Sequence, residues 1–259
     1  MNERGCTDEI AAGLNRLGIV PGDIILVHSS FKSLGCVPGG LDTVIQGLLQ
    51  AAGCNGALLM PALSWALRPP EVFDPRLTRT CVGAIPEYFR TREGTMRSIH
   101  PTHSVCGAGK RVRELLDDHR RDGTPCGPNS PFHKIAELGG KIVMLGCGLR
   151  PNTTMHALEE YVKPPYLYGR NCVFTITDAS GKTYEKEYRT HDFAGYAQRY
   201  DRVGELAATD FIRRGQVLAA ETVVLEAAGM KNAVLKKLRE DPLHFVDRVS
   251  REPDAAADR

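Results

Sequence analysis

With 259 residues, 42% of them apolar and 25% charged, the chain has the composition of an ordinary globular protein long enough to bury a substantial core, which excludes a disordered or fibrous class. A formal net charge of +2, from 33 basic and 31 acidic residues, provides no field that would select nucleic acid or an anionic membrane surface. There is no run of about twenty apolar residues, and Met1-Asn2-Glu3-Arg4-Gly5 lacks the basic-then-apolar pattern of a secretion signal, so a cytoplasmic location is expected.

In chain order, Thr7-Asp8-Glu9 reads as a helix cap, with Ile10, Leu14 and Leu17 at helical spacing and Gly18 as the stop. Pro21-Gly22 turns the chain into Asp23-Ile24-Ile25-Leu26-Val27-His28, the apolar run of a strand covered on both faces. Ser29, Ser30, Lys32 and Ser33 follow at its carboxyl end, where open α/β sheets bind ligands, although a plain hydroxyl-rich turn has the same sequence signature. Gly39-Gly40 precede an amphipathic helix carrying Leu41, Val44, Ile45, Leu48 and Leu49, and Ala57-Leu58-Leu59-Met60 is the next strand. This βαβ rhythm predicts an α/β fold in three layers, a central mostly parallel or mixed sheet flanked by helices.

Residues 61–81 hold four prolines and the only tryptophan, Trp65, without periodicity, as expected for one wall of a substrate cleft. Ile85, Tyr88 and Phe89 suggest a helix, Val112, Leu115 and Leu116 another, and Ser130-Pro131 opens a third by the cap-then-proline rule. Lys141–Leu145 is a central strand. Cys172–Thr177 and Thr183–Tyr188, joined by Asp178-Ala179-Ser180-Gly181, predict an added β-hairpin. His191-Asp192-Phe193 then stands at the mouth of a helix running toward Leu206, Val217-Leu218 and Val223-Val224-Leu225 complete the fold, and Ala233–Leu238 is a short helix. The eight cysteines are scattered singly, which suits reduced thiols better than a disulfide framework.

The chemistry concentrates in Asn152-Thr153-Thr154-Met155-His156-Ala157-Leu158-Glu159-Glu160-Tyr161. If the residues after Pro151 are helical, His156 and Glu159 share one face, and a carboxylate on one imidazole nitrogen leaves the other as a base. Asn152, Thr153 and Thr154 supply short hydrogen-bonding groups at the helix entrance, where free N–H groups favour developing negative charge. A different chemistry is written in Arg97–Cys106, where His100, His103 and Cys106 stand three apart and all can ligate zinc. Pro101 opposes it, since a strand would send His100 and His103 to opposite faces, and no metal is expected.

Val27-His28-Ser29-Ser30-Phe31, Ser98-Ile99-His100-Pro101-Thr102-His103-Ser104-Val105, Asn129-Ser130-Pro131-Phe132-His133-Lys134-Ile135 and the Asn152–Tyr161 stretch, in this order over residues 8–206, resemble the aminoglycoside 3-N-acetyltransferase family. The resemblance implies a single acetyltransferase domain over residues 1–259, ending in a polar tail from about 250. It implies transfer of an acetyl group from acetyl-CoA, a cosubstrate, to the 3-amino group of an aminoglycoside's 2-deoxystreptamine ring, and hence antibiotic resistance. His156 and Glu159 would be general base and orienter, and Thr154 an oxyanion donor. Coenzyme A would be held by Ser29, Ser30 and Lys32, by Arg97 near a phosphate, and by His103, Ser104 and Val105 along the pantetheine arm. Trp65, Glu160 and Asp192 would contact the acceptor. The chain would work as a monomer or homodimer.

A computed pI of about 8.1 departs from the acidic surplus that a polycationic substrate leads one to expect. A local acidic pocket from Glu160, Asp192, Asp201, Glu185 and Glu187 would reconcile the two, and the same transfer to a non-aminoglycoside amine is the alternative. Two further classes remain open at this point: a hydrolase with Ser29 or Ser30 as nucleophile to His156 and Glu159, and a non-catalytic coenzyme A or nucleotide-binding module.

Overall fold

The computed structural model describes residues 2–207 and 209–249, so the polar tail expected from about 250 lies outside the described residues. Helix α1 (Glu3–Arg16) begins upstream of the Thr7-Asp8-Glu9 cap because Asn2 already accepts the Gly5 N–H at 2.9 Å. Strand β1 (Ile24–Ser29), helix α2 (Gly40–Ala52) and strand β2 (Ala57–Pro61) follow as a βαβ unit. The irregular proline-rich stretch contains only the short strand β3 (Val72–Phe73), and leads to α3 (Ala84–Thr91). Then come β4 (Met96–Arg97), β5 (Val105–Gly109), α4 (Val112–Leu116), and α5 (Pro131–Glu137), whose N-terminus is capped by Ser130 with proline in the first position. Strand β6 (Lys141–Leu145) and helix α6 (Thr154–Val162) carry the central motif. The remainder is β7 (Tyr168–Thr177), β8 (Thr183–His191), β9 (Tyr196–Gln198), a 3-10 turn at Tyr200–Glu205, β10 (Ile212–Val217), β11 (Ala220–Glu226), α7 (Ala227–Glu240) and β12 (Val246–Arg248).

The main sheet has seven strands in the order β10-β11-β6-β1-β2-β5-β4. Only β6, β1 and β2 pair in parallel, so the sheet is mixed and not mostly parallel. The physical reason lies in the connections: β10 and β11 are joined by a two-residue turn, which only an antiparallel pair permits, whereas β1 and β2 have the whole of α2 as a crossover. Alternate residues of β1 sort onto the two faces. Ile25 and Val27 pack with Ile10, Leu14, Val44, Leu48 and Phe89 of α1–α3. Ile24 and Leu26 pack with Leu115, Phe132, Met155, Leu158 and Val234 of α4–α7. The three layers expected from the sequence are therefore present.

The hairpin β7–β8 joins β3 in a small second sheet over its own cluster of Leu67, Phe73, Phe174, Ile176 and Tyr188. No helix runs from His191 toward Leu206. His191 instead ends β8, Phe193 (φ 52°) and Gly195 (φ 79°) adopt left-handed backbone that stops any right-handed helix, and only the 3-10 turn at Tyr200–Glu205 follows. At the other end, the short helix foreseen at Ala233–Leu238 is the middle of the longer α7.

Candidate active site

β1 is the strand at which the chain changes direction across the sheet, with β2 on one side and β6 on the other, and the carboxyl ends of these parallel strands leave a crevice of the kind in which α/β folds bind ligands. A cavity of about 860 Å³ opens there. Its floor is His28 and Ser29 at the end of β1, Pro61, Leu63 and Trp65 after β2, and Cys147, Arg150, Asn152 and Thr153 between β6 and α6. The second sheet forms the roof through Arg170, Cys172 and Phe174 of β7 and Thr190 and His191 of β8, continued by Asp192, Phe193 and Gln198.

His156 lies in the cavity wall on the first turns of α6. Its Nδ1 is 3.2 Å from Glu159 Oε2 and 2.8 Å from the Tyr200 hydroxyl. Tyr200 OH also donates to Glu159 Oε2 at 2.8 Å, and Tyr166 OH donates to the other oxygen, Oε1, at 2.8 Å. A carboxylate only accepts, so the single phenolic proton of Tyr200 goes to Glu159, and the phenol oxygen is left to accept from His156. In the neutral imidazole Nδ1 therefore carries the proton, which leaves Nε2 as the basic nitrogen. Burial and the adjoining Glu159 charge raise both phenols above their ordinary range, which keeps them donors. Glu159 itself is fully buried.

Two more rings fix the imidazole. Phe193, held at positive φ, places its ring 5.1 Å from that of His156, and His191 lies 5.3 Å away. His28 is pushed down to about 3 by burial and by the neighbouring His156, and its Nε2 has no partner. His103, on the wall, bonds Thr102 Oγ1 through Nδ1 at 2.8 Å and is also held neutral by burial and surrounding imidazoles. His100 lies deeper, stacked on His119 at 5.0 Å, while Cys106 is a core residue of β5 on the face covered by α1–α3. Among the described residues no three His, Cys, Asp or Glu side chains converge to hold a metal ion.

The structure brings together His156, Glu159, Ser29, His103, Trp65 and Asp192 at this cavity, and places the other anticipated residues elsewhere. Thr154 is behind the wall, its N–H bonded to Asn152 Oδ1 at 3.1 Å and its hydroxyl without a partner; Asn152 and Thr153 face the cavity instead. Ser30 accepts from Ser33 Oγ at 3.0 Å off the wall, and Lys32 is exposed beyond it. Arg97 donates to Ser104 Oγ (2.8 Å) and to the carbonyls of Ala62 (2.7 Å) and Thr78, and Ser104 donates to Ala62 as well, so both brace the loop after β2. Val105 is core. Glu160 points away from the cavity, toward Thr124 Oγ1, the Cys126 N–H and His191 Nε2.

Among the described residues the anticipated acidic pocket does not form. Strand alternation turns Glu185 and Glu187 outward, Asp201 pairs with Arg199 at 2.9 Å, and among the described residues Asp192 is the one carboxylate on a wall that also carries Arg68, Arg150 and Arg170. Tyr166, Tyr200, His191 and the three arginines had no role in the sequence reading. Tyr200 and His191 are 41 and 31 residues from their carboxylate partners, beyond any local spacing rule.

The profile of the aminoglycoside 3-N-acetyltransferase family matches residues 26–239, and the chain belongs to that family of acetyltransferases. It is 31% identical over 241 residues to aminoglycoside N(3)-acetyltransferase IV of Salmonella sp, spanning 92% of this chain and 89% of that one. A histidine-to-alanine mutant of aminoglycoside acetyltransferase AAC(3)-IVa in complex with a gentamicin superposes with a TM-score of 0.80 at 29% identity, over 92% of this chain and 89% of that chain. The binary complex of AAC-IIIb with CoASH superposes with a TM-score of 0.80 at 28% identity, over 93% and 97%.

Proposed function

We propose that this chain transfers the acetyl group of acetyl-CoA directly to an amine of an aminoglycoside, the 3-amino group of the 2-deoxystreptamine ring, with His156 as general base. One observation carries this reading: Nδ1 of His156 is fully engaged by Glu159 and Tyr200, which leaves Nε2 as the basic nitrogen of a residue in the cavity wall. A protonated amine cannot attack a thioester. His156 Nε2 takes a proton from the acceptor nitrogen, and Glu159 and the Tyr200 oxygen at Nδ1 stabilise the imidazolium that results, while Tyr166 helps to hold the carboxylate in place.

The residues present fit coenzyme A. The cavity volume of about 860 Å³ is in the range of small-molecule sites. Arg68, Arg150 and Arg170 are guanidinium groups of the kind that bind phosphates, and Ser29 Oγ is a buried hydroxyl with no protein partner. His103 lines the same space, and Asp192 and Trp65 are the groups available to an acceptor ammonium and a sugar face. Asn152 and Thr153, at the start of α6, are the donors for the thioester oxygen as it gains charge. The reading counts against a serine hydrolase, because neither Ser29 nor Ser30 contacts His156.

Incubation with acetyl-CoA and a panel of aminoglycosides and simple polyamines, followed by mass spectrometry and NMR of the product, tests this proposal. The expected product is a mono-acetylated aminoglycoside modified at the 3-amino group. Acetyl-CoA consumption that needs no acceptor, or acetylation of polyamines alone, would overturn it.

A further inference from the structure

Beside the His156–Glu159 pair stands a second histidine–carboxylate pair. His191 Nε2 donates to Glu160 Oε1 at 2.8 Å, and the two side chains are 4% and 6% exposed. The carboxylate is anchored by the Cys126 N–H at 2.8 Å and by Thr124 Oγ1 at 2.5 Å. His191 Nδ1 is buried and has no hydrogen-bond partner. A buried polar atom left unpaired is rare enough to call for a role. The rings around it are His156 at 5.3 Å, His103 at 5.5 Å, Phe193 at 5.6 Å and Tyr168 at 5.9 Å, and the charged groups near it are Glu160 and Asp192.

If the acetyl transfer proposed above holds, the proton count of the reaction calls for a second proton acceptor. An ammonium that becomes an amide loses two protons, and the departing thiolate takes back only one. A single imidazole holds one proton at a time. We propose that the His191–Glu160 pair takes the other: His156 Nε2 removes the first proton from the ammonium and, once the two rings close in from their resting centroid separation of 5.3 Å, passes it to His191 Nδ1, while the Nε2 proton of His191 moves to Glu160 Oε1. Ammonium and carboxylate become amine and carboxylic acid, His191 changes only its tautomer, and His156 is again unprotonated. The free amine then attacks the thioester carbon, the C–S bond breaks, and His156 carries the second proton from nitrogen to sulfur. After the products leave, the proton on Glu160 returns to solvent by the same route, which is the one net proton the reaction releases.

The electrostatics favour these end states. Burial and the neighbouring His156 hold His191 well below its ordinary pKa, so an imidazolium there is disfavoured, whereas burial raises Glu160, which lowers the cost of placing a proton on that carboxylate. Nδ1 is sealed from solvent, so a proton placed there does not leak away.

The test is the pH dependence of thiol release from acetyl-CoA with gentamicin as acceptor, for the native protein, His191→Asn and the isosteric Glu160→Gln. Without the relay the enzyme uses only acceptor that is already neutral. At pH 7 both variants should lose on the order of 100-fold in kcat/KM for the acceptor. That loss should shrink about tenfold per pH unit as the pH rises toward the amine pKa, with the KM for acetyl-CoA unchanged. A loss of the same size at every pH, the mark of a structural role, or no loss at all would overturn the relay. Absence of acceptor-dependent thiol release from the native protein would overturn the acetyltransferase reading instead. In that case ¹⁵N imidazole NMR still decides, since the relay requires resting His191 to be neutral with its proton on Nε2, and an Nδ1–H tautomer or an imidazolium at pH 7 would overturn it.

Discussion

Tyr200→Phe removes one oxygen from the best-defined network in the protein. Tyr200 is 2% exposed, so the ring stays packed and the hydroxyl contacts alone are lost: 2.8 Å to His156 Nδ1 and 2.8 Å to Glu159 Oε2. Glu159 keeps the Tyr166 hydroxyl and the 3.2 Å contact to His156. A hydrogen bond to a charged group contributes about 1.5–3 kcal/mol, and when that bond supports the imidazolium formed during attack, the same energy appears in the barrier. At about 1.4 kcal/mol per tenfold, kcat should fall roughly 10- to 100-fold while the KM for acetyl-CoA holds. Tyr166→Phe is the internal control, because it removes a donor from the same buried carboxylate without touching the imidazole. Urea denaturation should show similar destabilisation of the two variants, about 1.5–3 kcal/mol each, and steady-state thiol release should show the large kcat loss in Tyr200→Phe only. Equal kcat losses in both, or an unaffected kcat in Tyr200→Phe, would refute the assignment of Tyr200 as the group that closes Nδ1.

Acid should destabilise the protein through its buried histidines. His28 and His119 are pushed down to about 3 by burial, and His100, His103 and His191 also lie well below their ordinary value. Each folded pKa is below the unfolded one, so the unfolded state binds more protons between about pH 6.5 and 3, and the stabilisation present above that window is lost as pH falls through it. Each such histidine contributes a slope of up to about 1.4 kcal/mol per pH unit, opposed by Glu160 and Asp122, which burial raises. The urea midpoint should therefore drop between pH 7.5 and 5, and a flat profile would contradict the burial of this cluster. Gly47→Ala puts a methyl 2.7 Å from Ile10 Cβ where α1 crosses α2, and should cost about 1–3 kcal/mol in thermal melts with kcat retained. Asp192→Asn should raise the aminoglycoside KM roughly threefold to tenfold, about 1 kcal/mol of binding, with little change in kcat, and an unchanged KM would remove Asp192 from the acceptor site.

How much of this was legible in the sequence follows from the range of each interaction. His156 and Glu159 are three residues apart on one helix, so spacing alone brought them together. The strands β1, β2 and β6 were visible as apolar runs because both of their faces are covered, and the Ser130 cap was visible because proline follows it. The helix expected after His191 was not there because two left-handed residues, one of them the phenylalanine Phe193, interrupt the chain, and a bulky residue gives no sequence warning of positive φ. Arg97 and Ser104 looked like ligands for phosphate and pantetheine, yet Arg97 meets the carbonyls of Ala62 and Thr78 and Ser104 that of Ala62, groups whose need for a donor cannot be read from side chains. Glu160 follows Glu159 in sequence but leaves the helix on another face, which sends one carboxylate to His156 and the other to His191. The partners Tyr200 and His191 arrive from the far side of the hairpin, where only the tertiary fold brings them within reach.

The most direct test of the account is thiol release from acetyl-CoA in the presence of gentamicin, measured for the native protein and His156→Ala side by side. The account predicts acceptor-dependent release that falls at least about 100-fold in the variant, with acetyl-CoA binding retained. Release that survives the substitution, or that proceeds without any acceptor, would contradict a direct transfer driven by His156.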